Sequence, residues 1–205
     1  MTSISIIGSG NMARAIGARA AEHGHTIEII GRDAEKARSL AERIGHGTTV
    51  GTYGSTPAGD IVLVAILFQH AVDVIAEFGD SLAGKTLVDI TNPFNADASG
   101  VVTTPGDSMS DRIAAVAPAD AHVVKAFNTL FGGEIAAGGP LDAFYAGDDQ
   151  EAKTQVGAFL DSLGMQPRDA GARSMAHALE WAGILLVGVA NNGAGFNASL
   201  KVEVR

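Results

Sequence analysis

The chain has 205 residues, of which 46% are hydrophobic and 18% charged, a composition that predicts a packed globular fold rather than a disordered chain. Its 14 Lys and Arg against 23 Asp and Glu give a net charge of −9, which disfavours nucleic acid or an anionic membrane surface as a partner. The absence of Cys excludes disulfides, thiolate nucleophiles and cysteine-based metal sites, and the six His show no metal-ligand spacing, so no metal is expected.

The hydrophobic pattern alternates between strand and helix periods along most of the chain. In chain order it predicts strands over residues 3–7, 25–30, 46–52, 60–66, 86–90, 122–127, 143–146 and 166–170, and helices over residues 11–22, 34–44, 149–163 and 174–190. This order predicts an α/β fold with a Rossmann-type, doubly wound, mainly parallel sheet over residues 1–171. A small C-terminal helical addition is predicted over residues 172–205.

Three segments fall outside this alternation. Residues 92–109 are irregular and rich in Asn, Gly, Asp, Thr and Pro, residues 191–195 break the last helix, and residues 201–205 are typical of an edge strand or a tail. The N-terminus lacks the features of a signal peptide, and the apolar stretch 176–190 is too short to span a membrane. A cytoplasmic location is therefore expected.

A glycine-rich turn joins the first predicted strand to the first predicted helix. It follows the pattern G-x-G-x-x-A and consists of Gly8, Ser9, Gly10, Asn11, Met12 and Ala13. In this position of a βαβ unit, small residues let the backbone approach a pyrophosphate at the helix N-terminus, and Ala13 allows close packing of helix on strand. The turn predicts a bound dinucleotide, with a ligand-free glycine turn as the alternative.

The end of the second predicted strand indicates which dinucleotide binds. The carboxylate that would accept from the ribose 2′-OH of NAD is missing, and Gly31 and Arg32 stand there instead. Gly31 leaves room for a 2′-phosphate, Arg32 can pair with it, and Lys36 adds a second positive charge. NADP is therefore predicted over NAD. Asp33 is a rival ribose contact, although as a helix N-cap it would bind backbone N–H groups.

Polar and apolar residues at three further strand ends are predicted to meet in one crevice. Predicted cofactor contacts there are Ile66, Leu67, Phe68, His70, Asn92 and Pro93, and predicted substrate contacts are Phe94, Asn128, Thr129 and Leu130. His70 and Asn128 are candidate catalytic residues, but each has a plain alternative, a surface histidine and a helix cap. Lys125, one residue inside its strand, is expected to be structural. Hydride transfer requires no strong acid or base, so the chemistry is expected to be the cofactor's.

Together these segments, with Asp169-Ala170-Gly171 before the last helix, resemble the coenzyme F420-dependent NADP reductase family over nearly the whole chain. The resemblance implies hydride transfer between NADPH and a deazaflavin (coenzyme F420), with Ser9, Asn11, Arg32 and Lys36 at cofactor-contact positions. It also implies a C-terminal helix that helps to form the deazaflavin site and a homodimer. On the acceptor side Leu67 replaces a Pro of well-studied members, and residues 127–129 replace a His-containing segment. Residues 92–94 and 125–129 look more like a sister branch that includes the reductase domains of membrane ferrireductases. A flavin is therefore a second possible acceptor.

Two other functions fit the same residues. One is NADPH-dependent reduction of a small imine, carbonyl or ferric substrate, although imine reduction usually requires a larger helical C-terminal domain than this chain offers. The other is an NADP-sensing module without turnover. In each case the last helix, apolar on nearly all sides, predicts burial against a second chain in a symmetric dimer, with residues 193–197 near the acceptor pocket.

Overall fold

The computed structural model describes residues 1–203 and contains an eight-stranded sheet with helices on both faces. The strands are β1 Ser3–Ile7, β2 Thr26–Ile30, β3 Thr49–Gly51, β4 Ile61–Val64, β5 Thr86–Asp89, β6 His122–Ala126, β7 Asp142–Gly147 and β8 Gln166–Asp169. Their order across the sheet is β3-β2-β1-β4-β5-β6-β7-β8, and neighbours are parallel except for the antiparallel pair β6 and β7. The six parallel strands have the Rossmann order, so the predicted fold class is confirmed.

The helices alternate with the strands. They are α1 Asn11–Glu22, α2 Ala34–Ile44, α3 Phe68–Phe78, α4 Met109–Val116, α5 Gly132–Ala137, α6 Gln150–Ser162 and α7 Ala176–Val189. The helical patterns predicted α1, α2, α6 and α7 but gave no bounds for α3, α4 and α5. The predicted break after α7 is a π turn over Ala190–Ala194, where Asn192 and Gly193 leave the helical conformation.

The sheet separates two hydrophobic layers because successive strand residues point to opposite faces. In β1, Ile4 and Ile6 join the layer formed with α1, α2, α5 and α6, whereas Ile7 joins the layer formed with α3 and α4. All four residues of β4 are buried, as expected for a strand covered on both faces. With both faces covered, the exposed carboxyl ends of the parallel strands are the place for a ligand site.

The last described residues do not form an edge strand, which was one of the two predictions for residues 201–205. Residues 201–203 form no strand; this segment runs as a tail, and the backbone N–H of Val202 donates to Asp142 Oδ2 over 2.5 Å. The remaining residues of the predicted edge strand, 204 and 205, lie outside the described residues. Over residues 1–203, no helix is both long and apolar enough to cross a membrane.

Candidate dinucleotide-binding site

The glycine turn between β1 and α1 leaves open space where a ligand would lie. Gly8 has φ +131°, and a Cβ there would come within 2.1 Å of the Ala65 carbonyl oxygen, so only glycine fits. A Cβ on Gly10 would meet nothing within 4 Å, because this residue faces a cavity of about 760 Å³. The turn therefore has the close approach and the free volume that a pyrophosphate requires.

The first turn of α1 presents unpaired backbone donors to this cavity. Gly10 is the N-cap and supplies no side-chain hydrogen bond, and the Arg14 N–H is the first to bond back to the Gly10 carbonyl oxygen. The N–H groups of Asn11, Met12 and Ala13 thus lack an acceptor within the helix. Such donors, together with the positive end of the helix dipole, suit an anionic phosphate.

The predicted phosphate-loop residues do not all face the cavity. Gly8, Ser9, Gly10, Asn11 and Met12 line it, whereas Ala13 is fully buried in the core between helix and sheet. Ala13 therefore has the packing role predicted for the third small residue. From the other strand ends, the cavity is lined by Lys36, Ala65, Ile66, Leu67, Phe68, His70, Ile90, Thr91 and Asn92.

A second cavity of about 260 Å³ adjoins the first and contains the predicted 2′-phosphate residues. Gly31, Arg32 and Lys36 line it together with Asp33 and Tyr53. Asp33 is the N-cap of α2, and its Oδ1 accepts from the Glu35 and Lys36 N–H groups over 3.1 Å each, the capping role expected for it, while Oδ2 lies 3.4 Å from Lys36 Nζ. Arg32, Lys36 and the glycine turn thus border two adjoining cavities.

Arg32 and Tyr53, which line the second cavity, form a cluster with Glu77 that the sequence did not predict. Arg32 Nη2 donates to Glu77 Oε1 over 2.7 Å, and Arg32 Nε donates to the Tyr53 hydroxyl over 2.9 Å. The Tyr53 hydroxyl in turn donates to Glu77 Oε2 over 2.5 Å. The Arg32 guanidinium carbon lies 5.5 Å from the Tyr53 ring centre, within cation–π range. Tyr53 follows β3 and Glu77 lies in the last turn of α3, so neither is near Arg32 in the sequence.

The two Asn-containing strand ends meet, as predicted. Asn92 Nδ2 donates to the Asn128 carbonyl oxygen over 2.7 Å, and Asn128 Nδ2 donates to Asn92 Oδ1 over 3.0 Å. Asn128 Nδ2 also donates to the Leu179 carbonyl oxygen over 2.8 Å, which ties the pair to α7. A Cβ on Gly183 would lie 2.8 Å from Asn92 Oδ1, so α7 packs on the pair through a glycine.

A third cavity, of about 220 Å³, lies between this Asn pair and α7. Its lining contains no charged side chain and consists of Met12, Ile90, Asn92, Phe94, Phe127, Asn128, Thr129, Leu130, Phe131, Gly132, Gly183, Leu186 and Val187. Asn128 Oδ1 and Thr129 Oγ1 are buried without a hydrogen-bond partner among the described residues. The Phe196 ring, beyond α7, packs against Phe131 with 5.1 Å between ring centres. The C-terminal segment thus reaches this pocket within its own chain.

The remaining predicted residues have distinct positions. His70 is exposed at the start of α3 and lines both the first and second cavities. Pro93 is buried and lines none of the three cavities; its carbonyl oxygen accepts from the Val102 N–H over 2.8 Å. Its role is therefore to shape the loop after β5. The assignment of His70 and Asn128 as catalytic residues stays a prediction.

A fully buried ionic cluster lies behind the strand ends. Lys125 Nζ donates to Asp89 Oδ2 over 2.9 Å and to the Thr91 carbonyl oxygen over 2.7 Å, and it lies 3.4 Å from Glu180 Oε1. Asp89 Oδ1 accepts from the Thr91 N–H over 2.8 Å, so both backbone polar groups of Thr91 are held. The cluster joins β5, β6 and α7, consistent with the structural role expected for Lys125.

The sequence is similar to a family of NADP-dependent oxidoreductases. Residues 3–93 match the sequence model of the family described as NADP oxidoreductase, coenzyme F420-dependent. The expected resemblance to this family is confirmed over these residues. A proposed F420-dependent NADP reductase from Arthrobacter sp. FB24 has the same fold over both whole chains, with a TM-score of 0.86 and 22% identity.

Two further relatives extend the comparison. The chain is 28% identical to metalloreductase STEAP3 from Rattus norvegicus over 86% of its own length and 35% of that protein. An imine reductase from Aspergillus terreus, solved with NADPH4 and dibenz[c,e]azepine, is 25% identical with a TM-score of 0.72, covering 96% of this chain and 64% of that one. The chain thus spans about a third of STEAP3, and it is similar to oxidoreductases that differ in what they reduce.

Proposed function

We propose that the protein is an NADP(H)-dependent oxidoreductase that transfers a hydride between NADPH and a deazaflavin or flavin acceptor. The observation that carries this proposal is the row formed by the three cavities. The second and first cavities share Gly8, Ser9, Lys36, Ile66 and His70, and the first and third share Met12, Ile90 and Asn92. The row begins at the cations Arg32 and Lys36 and passes the N–H groups at the start of α1 that have no acceptor within the helix. It ends at a pocket without charged side chains.

Each part of this row matches one part of the reaction. Arg32 and Lys36 would hold the 2′-phosphate, the N–H groups at the start of α1 would hold the pyrophosphate, and Ile66 and Ile90 would flank the nicotinamide. NADPH, when bound, supplies the hydride. The protein's part is to hold the two reacting rings in contact, at roughly 3 to 3.5 Å, and to keep water away from them.

The third cavity supports a flat, uncharged ring as the acceptor. Its walls are aromatic and aliphatic, and its polar lining residues are Asn92, Asn128 and Thr129. A mainly apolar slot with a few polar groups suits a flavin-type ring. The match of residues 3–93 to an F420-dependent family supports the same class of acceptor.

A second candidate function is reduction of a small imine or carbonyl compound. The resemblance to the imine reductase from Aspergillus terreus favours it, because that likeness extends over 96% of this chain. The third cavity would then hold the substrate alone. Oxidation of NADPH by a cyclic imine, with no oxidation by flavins or deazaflavin, would select this reading.

The phosphate turn can be tested without an acceptor. Replacing Gly10 by Val is expected to abolish NADPH binding while the protein stays folded, because the new side chain would enter open space that the pyrophosphate needs. Calorimetric titration with NADPH and a thermal melt measure the two effects separately. Gly133→Val is the matched control, because Gly133 also faces open space but lines none of the three cavities. NADPH affinity retained by the Gly10 variant would contradict the assignment.

We also propose a symmetric homodimer formed through α7. One face of this helix packs inward through Leu179, Gly183 and Leu186, but the other face exposes Trp181, Leu185 and Val189 by 48%, 59% and 46%. These three residues are spaced by four, so they form one apolar stripe along the helix. A second copy of the chain would cover this stripe with its own.

The stripe makes the dimer testable by sedimentation. Leu185→Lys is expected to convert a dimer to a monomer, because it places a charge in the centre of the stripe. Val50→Lys, at an exposed position of the edge strand β3, is the control and should leave the dimer intact. A monomeric unmodified protein at micromolar concentration would contradict the proposal.

A further inference from the structure

Both cations of the predicted 2′-phosphate site already have a carboxylate partner. Arg32 pairs with Glu77 over 2.7 Å, and Lys36 lies 3.4 Å from Asp33. Each positive charge of this site therefore has a negative charge beside it; Asp33 lines the second cavity with the two cations, and Glu77 reaches Arg32 from α3.

The two carboxylates differ in what they do for the fold. Asp33 caps α2 through two backbone N–H groups, so its position is explained by helix formation. Glu77 accepts no backbone hydrogen bond from the described residues, and it stands in the last turn of α3, where the helix dipole disfavours a negative charge. Its side chain is 48% exposed, and it accepts hydrogen bonds from Tyr53 and Arg32. Its carboxylate is therefore engaged with the predicted 2′-phosphate residue Arg32 and its neighbour Tyr53 rather than with its own helix.

Glu77 acts on Arg32 at the place where the phosphate would bind. Hydrogen bonds from Tyr53 and Arg32 lower the pKa of the Glu77 carboxyl, so it carries a full negative charge at neutral pH. It accepts one N–H of Arg32 Nη2, and the Tyr53 hydroxyl accepts the N–H of Nε, so that three of the five guanidinium N–H groups remain for a phosphate. An incoming 2′-phosphate would therefore share the guanidinium with a carboxylate and approach a charge of its own sign.

We propose that Glu77 is a residue that limits cofactor selectivity: it weakens the preference of this site for NADPH over NADH by partly neutralising Arg32 and placing a negative charge beside the 2′-phosphate. The proposal rests on the proposed function, since it takes the second cavity to hold the 2′ end of the adenosine. A dinucleotide with a free 2′-OH meets no such repulsion, and the carboxylate can accept a hydrogen bond from a hydroxyl. The wild-type protein thus prefers NADPH less strongly than it would without the Glu77 charge.

The proposal is tested by removing the charge of Glu77 while keeping its shape. We expect Glu77→Gln to tighten binding of NADPH by about 2- to 5-fold, the size of a solvent-screened interaction between exposed charges. Binding of NADH should not change. The fragments 2′,5′-ADP and 5′-AMP, titrated by calorimetry, should show the same contrast without the nicotinamide. Raising the salt concentration should shrink the gain.

Asp73→Asn is the matched control. Asp73 is exposed on α3 about one turn before Glu77, so the variant removes the same charge from the same helix and should alter neither affinity. Weaker NADPH binding by Glu77→Gln would overturn the proposal and make Glu77 a support for Arg32. Unchanged binding, or equal tightening of NADPH and NADH, would overturn it as well. If the wild-type protein binds neither dinucleotide, the proposed function fails with it, whereas binding of both without an effect at Glu77 rejects this inference alone.

Discussion

Arg32→Asp is expected to weaken NADPH binding by about 10- to 100-fold, because it removes a charged hydrogen-bond donor from the 2′-phosphate. The new carboxylate would also stand beside Glu77, which lies 2.7 Å from the Arg32 guanidinium, so two negative charges would face the phosphate. NADH binding should fall far less, since a carboxylate at this position can accept from the ribose 2′-OH. Preference should therefore move from NADPH to NADH, as measured by calorimetry with both cofactors.

Arg38→Asp provides the control for this change. Arg38 is an exposed residue of α2 that pairs with Glu35 and lines none of the three cavities. The variant makes the same change in net charge, so it reports any effect of the overall field on a charged ligand. NADPH affinity unchanged by Arg32→Asp, or lowered equally by both variants, would make Arg32 an ordinary surface charge.

Lys125→Met is expected to lower the free energy of unfolding by about 3–5 kcal/mol, the usual cost of removing one partner from a buried ion pair. Lys125, Asp89 and Glu180 are all fully buried, so the change leaves two carboxylates without their cation. The Thr91 carbonyl oxygen also loses its donor. Urea denaturation of the variant and the wild type gives the difference directly.

A compensated variant shows whether the loss comes from uncompensated charge. Combining Lys125→Met with Asp89→Asn and Glu180→Gln removes all three charges and should recover part of the stability, because neutral amides cost less to bury than carboxylates. A loss below about 1 kcal/mol in the single variant, the range of an exposed ion pair, would contradict a structural role for the cluster.

Local patterns predicted the strands, the phosphate turn and the fold class, because each depends on residues that are near in sequence. The period-2 and period-3.6 repeats placed β1, α1 and β2, and the glycine spacing placed Gly8 and Gly10 at the cavity. The alternation of strands and helices predicted a mainly parallel sheet, but it did not show which pair departs from it, and in the structure β6 and β7 are antiparallel.

The parts of the site that the sequence did not reveal depend on long-range contacts. Tyr53 and Glu77 lie 21 and 45 residues from Arg32, and only the fold brings them together. The one available signal was that Tyr53 follows β3, whose carboxyl end lies beside that of β2. Glu180 lies in a mostly apolar helix, and its burial is explained only once the fold places Lys125 beside it.

NADPH oxidation, followed by absorbance with deazaflavin, FMN, FAD, ferric chelates and a cyclic imine as acceptors, tests the proposed hydride transfer directly. The proposed function predicts rapid oxidation with a deazaflavin or a flavin, and none with the Gly10→Val variant in the same assay. NADPH that binds tightly but is oxidised by none of these acceptors would contradict the account and leave an NADP-sensing module in its place.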